Sequence, residues 1–279
     1  MVRIYNRVST GQICRAVFKQ ISSAPVEEQT LQDQPTNSKL IILAVDTSSK
    51  TTSLALARGA TILRSVTTPV DQTRSEKLWA EIDAVLFEAG HNIRDVDVFS
   101  VCRGPGGFTG LRVGMAAVKG FSAGMNKPIA GVTSLEAAAH SAESDRAYVL
   151  VNAYKGEVYS QLFSFDDERM PVAENEPLVS AVDYALDRVA GLDEMTFVGD
   201  GAEAHADAIS GRGKLNWSVC RSDHCLAEDI ARLAFLKYSR SQLDDAGTLK
   251  ACYVRPSEAE IKLSLGLLGS KIKRSLKQG

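Results

Sequence analysis

Histidine, cysteine and aromatic side chains are scarce in this 279-residue chain: four His, five Cys, and Phe, Trp and Tyr together at only 6%. The cysteines are odd in number and include no C-x-x-C pair, which excludes a disulfide framework and points to a reducing, cytoplasmic setting. Only Cys220-Arg-Ser-Asp-His224-Cys225 gathers metal-ligating side chains, without zinc-site spacing or a second cluster, so no metal is expected. No two histidines stand four apart, so no helix can bring two imidazoles to one metal. That counts against a small metal-dependent regulatory peptidase. The longest aliphatic run, Leu40-Ile-Ile-Leu-Ala-Val45, is far short of the ~20 residues that span a bilayer, so no membrane role is expected. Charge of one sign is lacking too. With 32 basic and 34 acidic residues the net charge is -2, which excludes a broad phosphate-gripping face acting alone. What remains, 44% hydrophobic and 24% charged, is a globular chain long enough for one large domain or two lobes.

The first 39 residues stand apart. Residues 1–24 carry Arg3, Arg7, Arg15 and Lys19 and no acid, and 25–38 are polar and bracketed by prolines, which reads as a linker. A basic, acid-free start has the character of an organellar transit peptide, and equally of an extension before a domain that begins at Leu40. In both cases it is expected to be poorly ordered.

From Leu40 strands and helices alternate. The bare run 40–45 reads as a strand buried on both faces, and 52–57 and 61–67 complete a hairpin meander. Over 75–89, Leu78, Ile82, Val85 and Leu86 share one helical face and Gly90 ends the helix. A buried strand over 96–102 runs into a glycine-rich loop, and a helix follows from 111 to about 125. The alternation predicts an α/β fold with mixed sheets flanked by helices.

Two loops could carry chemistry. Gly104-Pro105-Gly106-Gly107-Phe108-Thr109-Gly110 lies between a buried strand and a helix, where close backbone approach and helix amides suit an anion. It matches neither the P-loop nor the dinucleotide fingerprint. A tight strand-to-helix turn uses the same glycines, and spacing does not separate the two readings. Asp46-Thr47-Ser48-Ser49 offers a carboxylate and three hydroxyls, suited either to magnesium and phosphate oxygens or to an ordinary hairpin turn.

Taken in order along the chain, further blocks carry a resemblance. Leu43-Ala-Val-Asp46-Thr47-Ser48 is followed by Arg74-Ser-Glu-Lys-Leu78 with Ile82, Asp83 and Leu86, then by Arg103-Gly-Pro-Gly-Gly-Phe-Thr-Gly-Leu-Arg112-Val-Gly114. Pro128-Ile-Ala-Gly-Val-Thr-Ser-Leu135, Asn152-Ala-Tyr-Lys-Gly156-Glu157-Val158-Tyr159 and Tyr253-Val-Arg255-Pro256-Ser257-Glu258-Ala259-Glu260 complete the series. Over residues 40–261 the chain resembles the TsaB (YeaZ) family of bacterial tRNA threonylcarbamoyladenosine biosynthesis proteins. The glycine-rich block is the specific one.

The resemblance implies a two-lobed actin-like fold, of the acetate and sugar kinase, heat-shock 70 and actin superfamily. It implies lobes at 40–140, joined by part of 255–279, and at 141–254. It further implies a non-catalytic partner of TsaD, the ATP-using, metal-bearing subunit that modifies adenosine beside the anticodon. The TsaE ATPase joins the same complex and TsaC-type enzymes supply threonylcarbamoyl adenylate. Two helices per subunit make the contact, in a homodimer when alone or with TsaD.

The predicted interface is Leu78, Ile82, Val85, Leu111, Gly114, Val118 and Phe121, and the same helices could instead cover their own sheet. The candidate nucleotide or anion site is Asp46, Thr47, Ser48, Gly104, Gly106, Gly107 and Thr109. No catalytic or metal-binding residue is assigned, Glu157 and Glu258 included. No cofactor is expected to be required, with ATP or ADP at the partner interface as the candidate ligand. Three residues depart from the family pattern: Asn152 where aspartate is usual, Tyr154 where arginine is frequent, and Arg74 in place of histidine. An amide is neither a general base nor an anionic magnesium ligand, so the departures argue against chemistry and leave an ATP-dependent phosphotransferase as the alternative. The basic stretch Lys262, Lys271, Lys273, Arg274 and Lys277 reads as a solvated tail, or as a weak contact with tRNA phosphates within the complex.

Overall fold

The computed structural model describes residues 3–5, 39–69, 74–214, 216–220 and 225–255. The first lobe opens with β2 (Ile41–Asp46), β3 (Thr51–Arg58) and β4 (Thr61–Pro69), after a short β1 (Arg3–Tyr5) that belongs to the other sheet. It continues through α1 (Arg74–Glu88), β5 (Val98–Cys102), α2 (Phe108–Met125), β6 (Ile129–Val132) and α3 (Ser134–His140). The second lobe runs β7 (Arg146–Tyr154), β8 (Glu157–Phe165), β9 (Pro171–Ala173), β10 (Leu178–Ala181), α4 (Val182–Arg188), β11 (Glu194–Val198), α5 (Asp200–Ala204), α6 (Ala206–Gly211) and β12 (Asn216–Cys220). Helix α7 (Leu226–Ser239) then returns to the first sheet.

The two sheets repeat one plan. In the order β4-β3-β2-β5-β6, β2 and β3 are antiparallel while β5 and β6 add in parallel on the other side of β2. The second sheet has the same meander and parallel pair in the order β10-β8-β7-β11-β12, with β1 parallel at its edge and β9 paired to β8. This duplicated mixed sheet is the actin-like frame.

Why β2 is apolar from Ile41 to Val45 follows from its position. Ile41, Leu43 and Val45 point to α1 and α2, while Ile42 and Ala44 point to α7, so both faces are covered. The small residues Ala44, Ala55 and Ala57 let α7 lie close, with Ile230, Leu233 and Ala234 packed on them. In the second lobe α4, α5 and α6 cover one face around Tyr148, Phe197 and Trp217, and α3 covers the other through Leu135, Ala138 and Ala139.

Helices α3 and α7 therefore form the layer between the sheets. His140 Nδ1 lies 2.8 Å from Asp229 Oδ1, and Lys237 Nζ donates to Glu136 at 3.1 Å. His140 ends α3, half-buried against a buried aspartate.

The packing revises the expected lobe boundaries. Helix α7 sits on the first sheet, Asp244 bridges Ile129, and Leu249 is in the first lobe's core, so 226–252 belong to the first lobe and not to a second lobe running to 254. Of the expected unstructured extension, Arg3–Tyr5 forms a strand, and 6–38 lie outside the described residues. The basic tail 262–279 and Glu258 also lie outside them.

Candidate functional site: the interlobe cleft and its rim

The β2–β3 turn, the glycine-rich loop and the second lobe enclose a cleft of about 400 Å3. Asp46, Ser48, Lys50, Gly106, Asn152 and Asp200 are among its walls. The turn is set by Asp46, whose Oδ1 accepts the Ser48 N–H at 2.8 Å. Thr47 points away from the cleft and donates to the Gly110 carbonyl at 2.7 Å, while the Gly107 N–H donates to the Ser48 carbonyl at 2.7 Å. Ser134 Oγ holds the Pro105 carbonyl at 2.6 Å from the other side.

These bonds zip the turn to the loop, and glycine is what makes the fit possible. A Cβ on Gly106 would stand 2.6 Å from the Ser48 carbonyl oxygen, and one on Gly114 would run into Thr47 Oγ1. Burial pushes the thiol of Cys102, beneath the turn, well up, and the nearby charge of Asp46 adds to it.

The predicted nucleotide residues thus divide. Asp46, Ser48 and Gly106 line the cleft; Gly107 and Thr109 line a separate depression on the rim; Thr47 and Gly104 line neither. A Cβ on Gly104 would meet the Cys252 carbonyl at 2.8 Å, which places that glycine inside the lobe. Helix α2 also begins three residues earlier than expected, at Phe108, so Thr109 and Gly110 are in its first turn.

Two features of the cleft bear on a nucleoside triphosphate as ligand. Ser48 and Gly107 N–H, which phosphate oxygens would need, are engaged within the protein. Among the described lining residues Lys50 is the one cation, against Asp46, Asp200 and Glu203. Sequence reasoning missed Asp200. It follows β11 in Val198-Gly199-Asp200-Gly201, a strand–glycine–helix junction legible in the sequence, and its Oδ1 accepts the Asn152 N–H at 2.9 Å. The position with Asn152 therefore has a carboxylate beside it after all. Of the Cys220–Cys225 cluster, the Cys225 thiol donates to the Val66 carbonyl at 3.5 Å, and His224 lies outside the described residues.

The helix pair differs more sharply from expectation. Leu78, Ile82, Val85, Leu111 and Val118 are each at most 3% exposed, and Gly114 is buried against Thr47. These residues form part of the lobe's own core. Phe121 is the exception, bridging inside to outside: its ring stacks on buried Phe99 at 5.3 Å, and Trp79 meets its edge at 5.1 Å. The outer face of α1 instead carries Phe87, 83% exposed, and Trp79, 49% exposed. On α2, Gly120 and Gly124 have open space where a Cβ would project.

Comparison with known proteins gives a consistent picture. A family model described as TsaD, tRNA N6-adenosine threonylcarbamoyltransferase, matches residues 67–234. The chain is 25% identical over 230 residues to the tRNA threonylcarbamoyladenosine biosynthesis protein TsaB of Bacillus subtilis, covering 80% of this chain and 97% of that one. Against TsaB of Escherichia coli it is 27% identical over 231 residues, with the same coverage of each. The YeaZ structure from Pseudomonas aeruginosa superposes with a TM-score of 0.63 at 22% identity, over 77% of this chain and 99% of that one. The fold is shared with it.

Proposed function

The chain belongs to the family of TsaD-type tRNA N6-adenosine threonylcarbamoyltransferases, in its TsaB (YeaZ) branch, and from that premise we propose that it is a non-catalytic partner subunit. In this reading it serves the synthesis of N6-threonylcarbamoyladenosine on tRNA by pairing with a TsaD-type subunit and holding it in a productive conformation. The TsaE ATPase joins the same assembly, tRNA is contacted within it, and the chain alone forms a homodimer. It requires no cofactor of its own, and ATP or ADP has its place at the contact with the partner. The work is done in the cytoplasm.

A fold of this kind hosts kinases as readily as scaffolds, so the site must decide. The observation that carries the reading is the outer face of α1 and α2. Phe87 and Trp79 present large apolar surface on α1, Trp79 meets Phe121 of α2, and Gly120 and Gly124 of α2 leave open space for another helix. An exposed aromatic pair next to an open helix surface fits a helical seam with a second subunit. The test is Phe87→Asp, which adds a charge where the seam forms and touches no core residue. Pull-down by a TsaD-type subunit should fall at least tenfold at unchanged melting temperature. Full retention of the complex contradicts the seam.

The second reading, an ATP-dependent phosphotransferase, is favoured by one feature: Asp46 and Asp200 face the same cleft with Lys50 at its edge. Phosphoryl transfer needs carboxylates for magnesium and donors for phosphate oxygens, and here the Ser48 and Gly107 N–H are engaged within the protein. ATP turnover by the isolated chain, lost in Asp46→Ala, would establish this alternative.

A further inference from the structure

We propose that a strip of rings and cations on the rim of the cleft is a docking surface for single-stranded RNA. It runs from the β7–β8 tip, across the start of α2, to Tyr253. The inference rests on the tRNA-modification reading above and assigns the RNA a place on this chain.

The rings are exposed or half-exposed and each lies beside a cation or another ring. Tyr154 is 42% and Tyr253 49% exposed. Lys50 Nζ stands 5.5 Å over the Tyr154 ring, and the Arg112 guanidinium lies 3.7 Å over the ring of Phe108. Phe108 in turn stands 5.3 Å from the Tyr253 ring. Lys50, Gly107, Phe108, Thr109 and Tyr154 line one shallow depression of about 440 Å3, which adjoins the main cleft and shares Ser49, Lys50 and Tyr154 with it.

The tip that carries Tyr154 is held in a conformation unusual for a bulky residue. Tyr154 and Lys155 have φ of 62° and 57°, followed by Gly156 at 79°. The Asn152 side chain accepts the Tyr154 N–H at 2.8 Å and fixes that turn. Left-handed non-glycine residues cost backbone strain and collect where the aim of a side chain is used. Here the strained tip sets the Tyr154 ring at the edge of the depression, and Lys155 lies exposed beside it.

The chemistry of the strip selects its occupant. Unpaired bases stack on aromatic faces without regard to sequence, and neighbouring Lys and Arg meet the phosphates. Duplex RNA has no free base faces to offer. Of the acidic groups nearby, Glu157 is ion-paired with Arg255, while Asp46, Asp200 and Glu203 line the main cleft, which Lys50 and Tyr154 also border. The cations are few, so binding should depend more on stacking than on charge and weaken only shallowly with salt.

Fluorescence anisotropy on the full chain tests this, with a labelled RNA stem-loop carrying an unpaired loop and a blunt RNA duplex of equal length as probes. The stem-loop should bind more tightly than the duplex. Tyr154→Ala should weaken stem-loop binding about tenfold, and Tyr154→Phe should restore it. Lys50→Gln, at an exposed turn position, should weaken it a few-fold and reduce the salt slope by about one. Tyr184→Ala, at an exposed ring on α4 that does not line the depression, should leave it unchanged.

Equal affinity for the duplex, no binding by the wild-type chain, or unchanged affinity in both Tyr154→Ala and Lys50→Gln would overturn the proposal. So would a Tyr154→Ala chain that loses its hold on the catalytic partner while keeping its RNA affinity, since the strip would then be a protein interface. The partner role is judged separately by the Phe87→Asp pull-down, so either idea can fail while the other stands.

Discussion

Two glycines on one helix should respond to the same substitution with opposite signs. Gly114 and Gly120 both lie inside α2. At Gly120 an added methyl meets open space. Alanine there should gain roughly 0.5–1 kcal/mol through helix propensity and reduced freedom of the unfolded chain. At Gly114 the same methyl collides with Thr47 Oγ1, the hydroxyl that holds the Gly110 carbonyl at 2.7 Å.

Neither neighbour can yield cheaply, because Thr47 is 2% exposed and sits in a turn pinned by Ser48 and Gly107. Overpacking costs about 1–3 kcal/mol and loss of the hydrogen bond about 0.5–1.5 kcal/mol. Against a propensity gain of about 1 kcal/mol, the net at Gly114 is destabilising by about 1–3 kcal/mol. At about 2–4 °C per kcal/mol for a chain approaching this length, the two variants should differ in melting temperature by about 5–10 °C.

Paired thermal and urea melts measure this directly. A double variant, Gly114→Ala with Thr47→Ala, should recover part of the loss by removing the collision, and the cycle isolates the coupling. Equal melting temperatures for the two single variants would refute the zipped turn and loop.

Further outcomes follow from the layer between the sheets and from the cleft. Burial pushes the Glu136 carboxyl up, but Lys237 and the Thr133 N–H outweigh it and hold it below its ordinary value of 4.5. Its contribution to stability is therefore present above that value and lost as pH falls through the lower, folded-state value. Denaturant melts of Glu136→Gln should show a flatter loss of stability on acidification than wild type, and an unchanged slope contradicts the pairing. For the cleft, ATP with magnesium should not raise the melting temperature of the isolated chain, since a ligand bound to the folded state would. A saturable rise, abolished by Asp46→Ala, would revive the phosphotransferase reading.

How far the sequence reveals this molecule depends on whether the forces involved are local. The run at Ile41–Val45 is apolar because both its faces are covered, and that pattern is visible without coordinates. The lobe to which α7 belongs is not visible, because the pairing of Ile230 and Leu233 with Ala44 and Ala57 spans most of the chain. The start of α2 was obscured by glycine, which signals a loop, yet Gly110 is tolerated in a first turn whose amides have no helical partners.

The burial of the residues expected at the interface has a physical reason. Helical periodicity identifies the face that must be covered, and here the lobe's own sheet covers Leu78, Ile82 and Val85. The large apolar residues that stay exposed on α1, Trp79 and Phe87, lie off that stripe. The Asp46 turn and the Gly106 loop were legible as a pair. The Gly199-Asp200-Gly201 junction offered a comparable signal that only its place beside Asn152 makes meaningful.

The central claim is that this chain serves tRNA modification through another subunit and performs no bond-making itself. Purified chain and a purified TsaD-type subunit, assayed singly and mixed with tRNA, threonylcarbamoyl adenylate and the TsaE ATPase, test it most directly. The account predicts threonylcarbamoyladenosine only when both subunits are present. Product formed by the chain without that subunit, or a TsaD-type activity indifferent to the chain, would contradict it.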